Sequence, residues 1–100
     1  MPKTLPPIHP GAILRDDVLE PLGMSVNQLA KALGVDTPRL NDIVRGRRGI
    51  TADTALRLSR YLGTTAKFWL NLQSDYELRV ARQKKLAEIE RPVKPRPSAA

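Results

Sequence analysis

One hundred residues, 41% of them hydrophobic, allow one small domain with a single modest core. The chain has no cysteine, which excludes disulfides and thiolate metal sites and fits a reducing compartment. No apolar run approaches the ~20 residues of a membrane span. The opening Met1-Pro2-Lys3-Thr4-Leu5-Pro6-Pro7 lacks the apolar stretch of a signal peptide, so a soluble, cytoplasmic protein without a membrane partner is expected. The net charge of +7 is uneven: residues 1–23 carry −1, residues 24–50 carry +3, residues 51–78 balance, and residues 79–100 carry +5. Such clustering of positive charge suits a polyanion, nucleic acid first among them.

Prolines open and close the chain, so residues 1–8 read as an extended N-terminal arm. A domain over residues 9–78 follows, then a basic extension over residues 79–100 that is expected to be disordered beyond Arg91. His9-Pro10-Gly11 precedes an apolar pattern at Leu14, Val18 and Leu22, which predicts a first helix from about Gly11 to Leu19, ended by Pro21 and Gly23. Ser25 is placed to cap a second helix. Asp36 or Thr37 can cap a third, with Pro38 tolerated in its first turn. Gly46 and Gly49 break the chain around Arg47 and Arg48. Thr51 then caps a fourth helix, Ala52 to Leu62, with Ala55, Leu58 and Leu62 facing inward and Gly63 as its stop. Thr64 or Thr65 starts a fifth, holding Phe68, Trp69, Leu72 and Tyr76, which helix-forming residues could extend past Val80 toward Ile89. No strand and no internal repeat is evident.

The stretch from Val26 to Arg45 is the most informative. Leu29 and Leu33 share one helical face, and Leu40 and Ile43 share the next. Gly34 sits where the chain must turn sharply, and Ala30 is small where the two helices would cross. With Ala30, Val35 and the glycine, these positions resemble the helix-turn-helix of the phage-repressor (Xre) class. In such a unit the second helix lies in the major groove of double-stranded DNA. With Leu40 and Ile43 turned inward, its outward set is Thr37, Pro38, Arg39, Asn41, Asp42 and Arg45, the candidate base contacts. Arginine can bond guanine, asparagine adenine, and threonine can meet a thymine methyl. Asp42 could accept from cytosine, or pair with Arg39 or Arg45 and orient it. Ser25, Asn27 and Gln28, at the start of the preceding helix, are candidate phosphate contacts, as are Arg47 and Arg48 in the loop that follows.

His9 is the lone histidine, so no metal cluster is expected, and it reads as a helix-entry or core-edge residue. Asp16 and Asp17 read as the solvated face of the first helix. No nucleophile–base set, glycine-rich phosphate loop or carboxylate pair stands out, so neither an enzyme nor a cofactor is expected. Phe68 and Leu72 are expected in the core. Trp69 and Tyr76 could belong either to the core or to a dimer surface.

Four segments together resemble the HigA-type antitoxins of bacterial toxin–antitoxin modules: His9-Pro10-Gly11 with Leu14; Pro21-Leu22-Gly23; Leu33-Gly34-Val35 with Ile43, Gly46 and the run Arg48 to Ala55; and Phe68 to Gln73. The resemblance spans Ile8 to about Val80. It implies an all-α, five-helix, lambda-repressor-like fold with the basic C-terminal extension added. It also implies a homodimer that represses its own operon and neutralises a cognate toxin of the HigB, RelE-like class, a ribonuclease acting on messenger RNA. A stand-alone Xre-type repressor without a toxin, or a protein-only interaction module, would share the same scaffold. The toxin-binding surface carries no readable motif, and the tail could be a phosphate-binding arm, a dimer element or disordered.

Overall fold

The computed structural model describes residues 6–97, and among these the chain forms five helices and no strand. Helix α1 covers residues 10–22, α-helical at Pro10–Ile13, π-helical at Leu14–Leu19 and α-helical again at Glu20–Leu22. The others are α2 Val26–Leu33, α3 Thr37–Val44, α4 Ala52–Leu62 and α5 Ala66–Glu90. One core unites them, built from Leu14, Leu29, Leu40, Ile43, Leu58 and Trp69, all essentially inaccessible to solvent. The all-α architecture and the five helices match the sequence reading. The basic extension is helical as far as Glu90. The parts of the two arms at residues 1–5 and 98–100 lie outside the described residues.

Two expectations about helix phase are corrected. Pro21 does not end α1, which runs on to Leu22 and stops at Gly23 in the left-handed conformation, φ 64°. The π-helical stretch adds a residue to the turn, and the Glu20 N–H reaches back to the Arg15 carbonyl, five residues earlier. Leu14 and Leu19 therefore share the inward face, while Leu22, expected inside, is 55% exposed. In α5, Trp69 rather than Phe68 enters the core: Trp69 is 1% exposed and Phe68 44%. The indole N–H donates to the Thr64 hydroxyl at 2.8 Å, so the buried ring leaves no polar atom unpaired.

Close approaches behind α3 hold it in place. The N-terminus of α1 passes so near the C-terminal turn of α3 that a Cβ at Gly11 would overlap the Ile43 carbonyl. His9 caps the N-terminus of α1 through Nδ1, which accepts from the Gly11 N–H at 2.9 Å. Its ring meets Tyr76 of α5 edge-on at 4.8 Å, and it lies beside Gly46 in the loop after α3. That loop is also tied to α5, because the Gln73 Oε1 accepts from the buried Ile50 N–H at 2.8 Å. The Gln73 amide donates in turn to Glu77 at 2.8 Å. Gly49 packs closely against it: a Cβ there would come within 2.8 Å of the Gln73 amide nitrogen and push that side chain aside.

Three outcomes follow from this packing. Gly11→Ala forces the α1 and α3 backbones apart and is expected to cost at least about 2 kcal/mol in urea unfolding. Gln73→Leu keeps the volume but strands the Ile50 N–H, an expected loss of about 1–3 kcal/mol by the same measurement. Burial holds the His9 pKa below its ordinary value of 6.5, and protonation would remove the acceptor that caps α1. The stability due to neutral His9 is therefore full above the unfolded-state value and is lost as pH falls through the folded one. Unfolding midpoints between about pH 7.5 and 5 should fall more steeply for the native chain than for His9→Asn, whose cap does not titrate.

Candidate nucleic-acid interface

The interface is assembled from α2, α3 and the loop that follows. At the start of α2 the Ser25 hydroxyl accepts from the Gln28 N–H at 3.1 Å, and the Gln28 Oε1 accepts from the Ser25 N–H at 2.9 Å. This reciprocal capping box leaves the Val26 and Asn27 N–H groups of the first turn without intrahelical acceptors, aimed where an anion could sit. At its other end α2 turns through Gly34, φ 74°. The Val35 N–H closes the turn on the Ala30 carbonyl at 3.0 Å.

Helix α3 begins at the Asp36 cap, whose side chain makes no capping bond, and it buries Leu40 and Ile43 as the spacing predicts. Its outward residues are held in different ways. The Thr37 hydroxyl donates to the Asn27 Oδ1 at 2.6 Å, fixing the two helix starts to each other. The Asp42 backbone carbonyl accepts from both the Arg47 and Arg48 N–H groups, at 2.8 and 3.2 Å, and so folds the loop back on the helix. Pro38 is exposed and Asn41 half-buried, with no side-chain bond to either among the described residues.

Arg39 is anchored to the neighbouring helix α4. One guanidinium nitrogen, Nη2, donates to the Asp53 Oδ1 at 2.9 Å and to the buried Thr54 hydroxyl at 2.7 Å. Both partners stand in the first turn of α4, so Arg39 braces α3 against α4 instead of presenting its whole fork outward. The same Asp53 oxygen accepts from the Arg57 Nε at 2.7 Å. Arg57 in turn donates to the last carbonyls of α2, those of Leu33 and Gly34, at 2.9 and 3.2 Å. Arg57 first and Arg39 second hold the Asp53 carboxyl below its usual range. These three residues of α4 link both helices of the pair, and they were missed because each partner lies 14–24 residues away in sequence.

Asp42 pairs neither with Arg39 nor with Arg45. Its carboxylate approaches Arg47 at 3.9 Å, both side chains remaining accessible. Arg45 and Arg48 are exposed, with no ion pair or side-chain hydrogen bond among the described residues. The arrangement therefore offers a cationic edge (Arg45, Arg47, Arg48) beside polar donors at the start of α2. Trp69 is buried in the core and so offers no dimer contact. Tyr76, half-buried against His9, lies on the core side of α5. No group of His, Cys, Asp or Glu among the described residues could hold a metal ion, and no helix there is long and apolar enough to cross a membrane.

Comparison with known proteins places this geometry. The helix-turn-helix family model matches residues 17–69, over half of the chain. Virulence-associated protein I of Dichelobacter nodosus is 58% identical over 81 residues, covering 81% of this chain and 75% of that protein. The structure of antitoxin GraA in complex with its operator matches with a TM-score of 0.89 at 47% identity, covering 98% of this chain and 99% of that one. The structure of Pseudomonas aeruginosa antitoxin HigA with the higBA promoter matches with a TM-score of 0.88 at 50% identity, covering 91% and 99%. This family is not an enzyme class. The chain belongs to the Xre-type helix-turn-helix family, and its structural neighbours are HigA and GraA antitoxins.

Proposed function

We propose that this protein is a sequence-specific DNA-binding antitoxin that represses its own operon as a homodimer and neutralises a cognate RelE-like toxin. The observation that carries the DNA-binding part is the braced α2–α3 pair, which sets Asn41 and the free Arg45 beside the Arg47–Arg48 loop. Asn41 and Arg45 are the base-reading candidates, with Thr37 and Pro38 at the helix start. Ser25, Asn27, Gln28, Arg47 and Arg48 grip phosphates on either side. Arg39 supports the frame. Likeness to a HigA structure with its promoter and to a GraA structure with its operator supports the same reading.

The dimer follows from the size of the unit. One small helix-turn-helix covers little DNA, and specific sites are normally read as two half-sites about 34–36 Å apart. Toxin neutralisation rests on the antitoxin relatives. Copurification with the product of the neighbouring gene tests it; a lone gene, or a neighbour that does not bind, would leave a repressor of the Xre type.

The DNA reading is tested by titrating the protein against DNA from immediately upstream of its own gene and against scrambled DNA, at two salt concentrations. Selective binding that survives higher salt is expected, and equal affinity for both would contradict it. Arg45→Ala is expected to cost about 1–3 kcal/mol on the upstream DNA with little change on scrambled DNA. Arg48→Ala is expected to weaken binding to both and to reduce the salt slope by about one. Unchanged affinity and slope would remove Arg48 from the phosphate contacts.

A further inference from the structure

Arg39 occupies an outward position in the first turn of α3, the part of a recognition helix that meets base edges, yet its side chain is only 27% exposed. The two bonds from Nη2 account for this. That nitrogen carries two hydrogens, and both are used: one on the Asp53 Oδ1 at 2.9 Å, the other on the Thr54 hydroxyl at 2.7 Å. The remaining guanidinium hydrogens, on Nε and Nη1, have no acceptor among the described residues. Arginine grips guanine through two adjacent nitrogens, and Nη2 belongs to both edges that can do so. While α4 holds Nη2, neither edge is complete, and Arg39 has only single donors to offer.

Both anchors are themselves held. Thr54 is 1% exposed, and its hydroxyl also accepts from the Thr51 hydroxyl at 3.3 Å. Asp53 is fixed by Arg57, whose Nε donates to the same Oδ1 at 2.7 Å and whose Nη1 donates to the Leu33 carbonyl at 2.9 Å. The Arg39 guanidinium is thus clamped to the first turn of α4 and, through Asp53 and Arg57, to the end of α2. Asp53 is 57% exposed, so these ion pairs add little to stability. Fixing a long side chain before DNA arrives instead spares the rotamer freedom it would lose on binding.

We propose that Asp53 is a specificity-determining residue, acting from α4 as the positioning residue of Arg39. It aims Nε and Nη1 at one base edge as single donors, and it withholds the two-bonded grip that a free arginine offers to any guanine within reach. This deepens the DNA-binding reading of the proposed function and rests on it. Asp53 itself touches no DNA in this scheme; its effect passes through Arg39.

Titration of the full chain tests it, at one salt concentration, against the upstream DNA, against scrambled DNA of equal length, and against upstream DNA with each base pair exchanged in turn. Arg39→Ala is expected to flatten the preference at one base pair of each half-site. Asp53→Ala is expected to flatten it at the same base pair and to lower the ratio of upstream to scrambled affinity about tenfold. In the Arg39→Ala background the same change should alter that ratio by less than about twofold. Circular dichroism and urea unfolding, expected to stay close to those of the native chain, confirm that each variant is folded. Mere loss of a negative charge would strengthen binding to both DNAs alike, leave the ratio unchanged and overturn the inference. An equal effect of Asp53→Ala with and without Arg39, or a loss spread over all base pairs as for a phosphate contact, would overturn it too. In each of those cases a native preference for the upstream DNA keeps the repressor reading; a native chain without that preference would overturn both.

Discussion

The backbone of α1 touches the backbone of α3 at Gly11, and no side chain could stand between them. The Ile43 carbonyl occupies the space where a Cβ would project. Ile43 is itself a core residue, and the loop carrying Arg45, Arg47 and Arg48 begins just beyond it. The position of the cationic edge is thus fixed from behind by a contact that admits only glycine. His9 fastens the same corner by capping α1 and resting on Tyr76 and Gly46, and Gln73 fastens the far end of the loop through Ile50. A loop held at both ends by buried contacts presents its arginines with little further ordering to be lost on binding, which favours affinity.

The arginines divide their work according to what surrounds them. Arg39 and Arg57 converge on one carboxylate oxygen of Asp53, and through it α2, α3 and α4 are braced together. Both guanidinium groups, Arg57 first, favour the charged form of the carboxylate and hold its pKa below the usual value. Being exposed, these ion pairs contribute geometry more than stability. Among the described residues Arg45 and Arg48 have no such partner, which leaves their charge available for the DNA contacts proposed for them. Asp42 lowers the local positive charge near Arg47 and, through its backbone carbonyl, shapes the loop.

Much of this was legible in the sequence, for identifiable reasons. The apolar spacing of α2 and α3, Gly34 and the caps at Ser25, Thr51 and Thr65 depend on neighbours within one helical turn, and local pattern reports such contacts well. The capping box was also present in the sequence as Ser25 and Gln28 three residues apart, of which the reading used only Ser25 as a cap. The π-helical stretch was not legible, because one extra residue in a turn shifts the inward face from Val18 and Leu22 to Leu19. The choice between Phe68 and Trp69 hung on a single 100° step, settled by Thr64 offering the indole an acceptor. The diversion of Arg39 to Asp53 and Thr54 depended on the angle at which α4 meets α3, which periodicity within either helix does not encode.

The proposed repressor requires two copies of one braced α2–α3 unit to meet the DNA together. Hydroxyl-radical footprinting of the native protein on the DNA upstream of its gene tests this most directly. Two protected patches on one face of the duplex are expected, their centres about 34–36 Å apart or a multiple of that. A single patch, or uniform protection along the fragment, would contradict it.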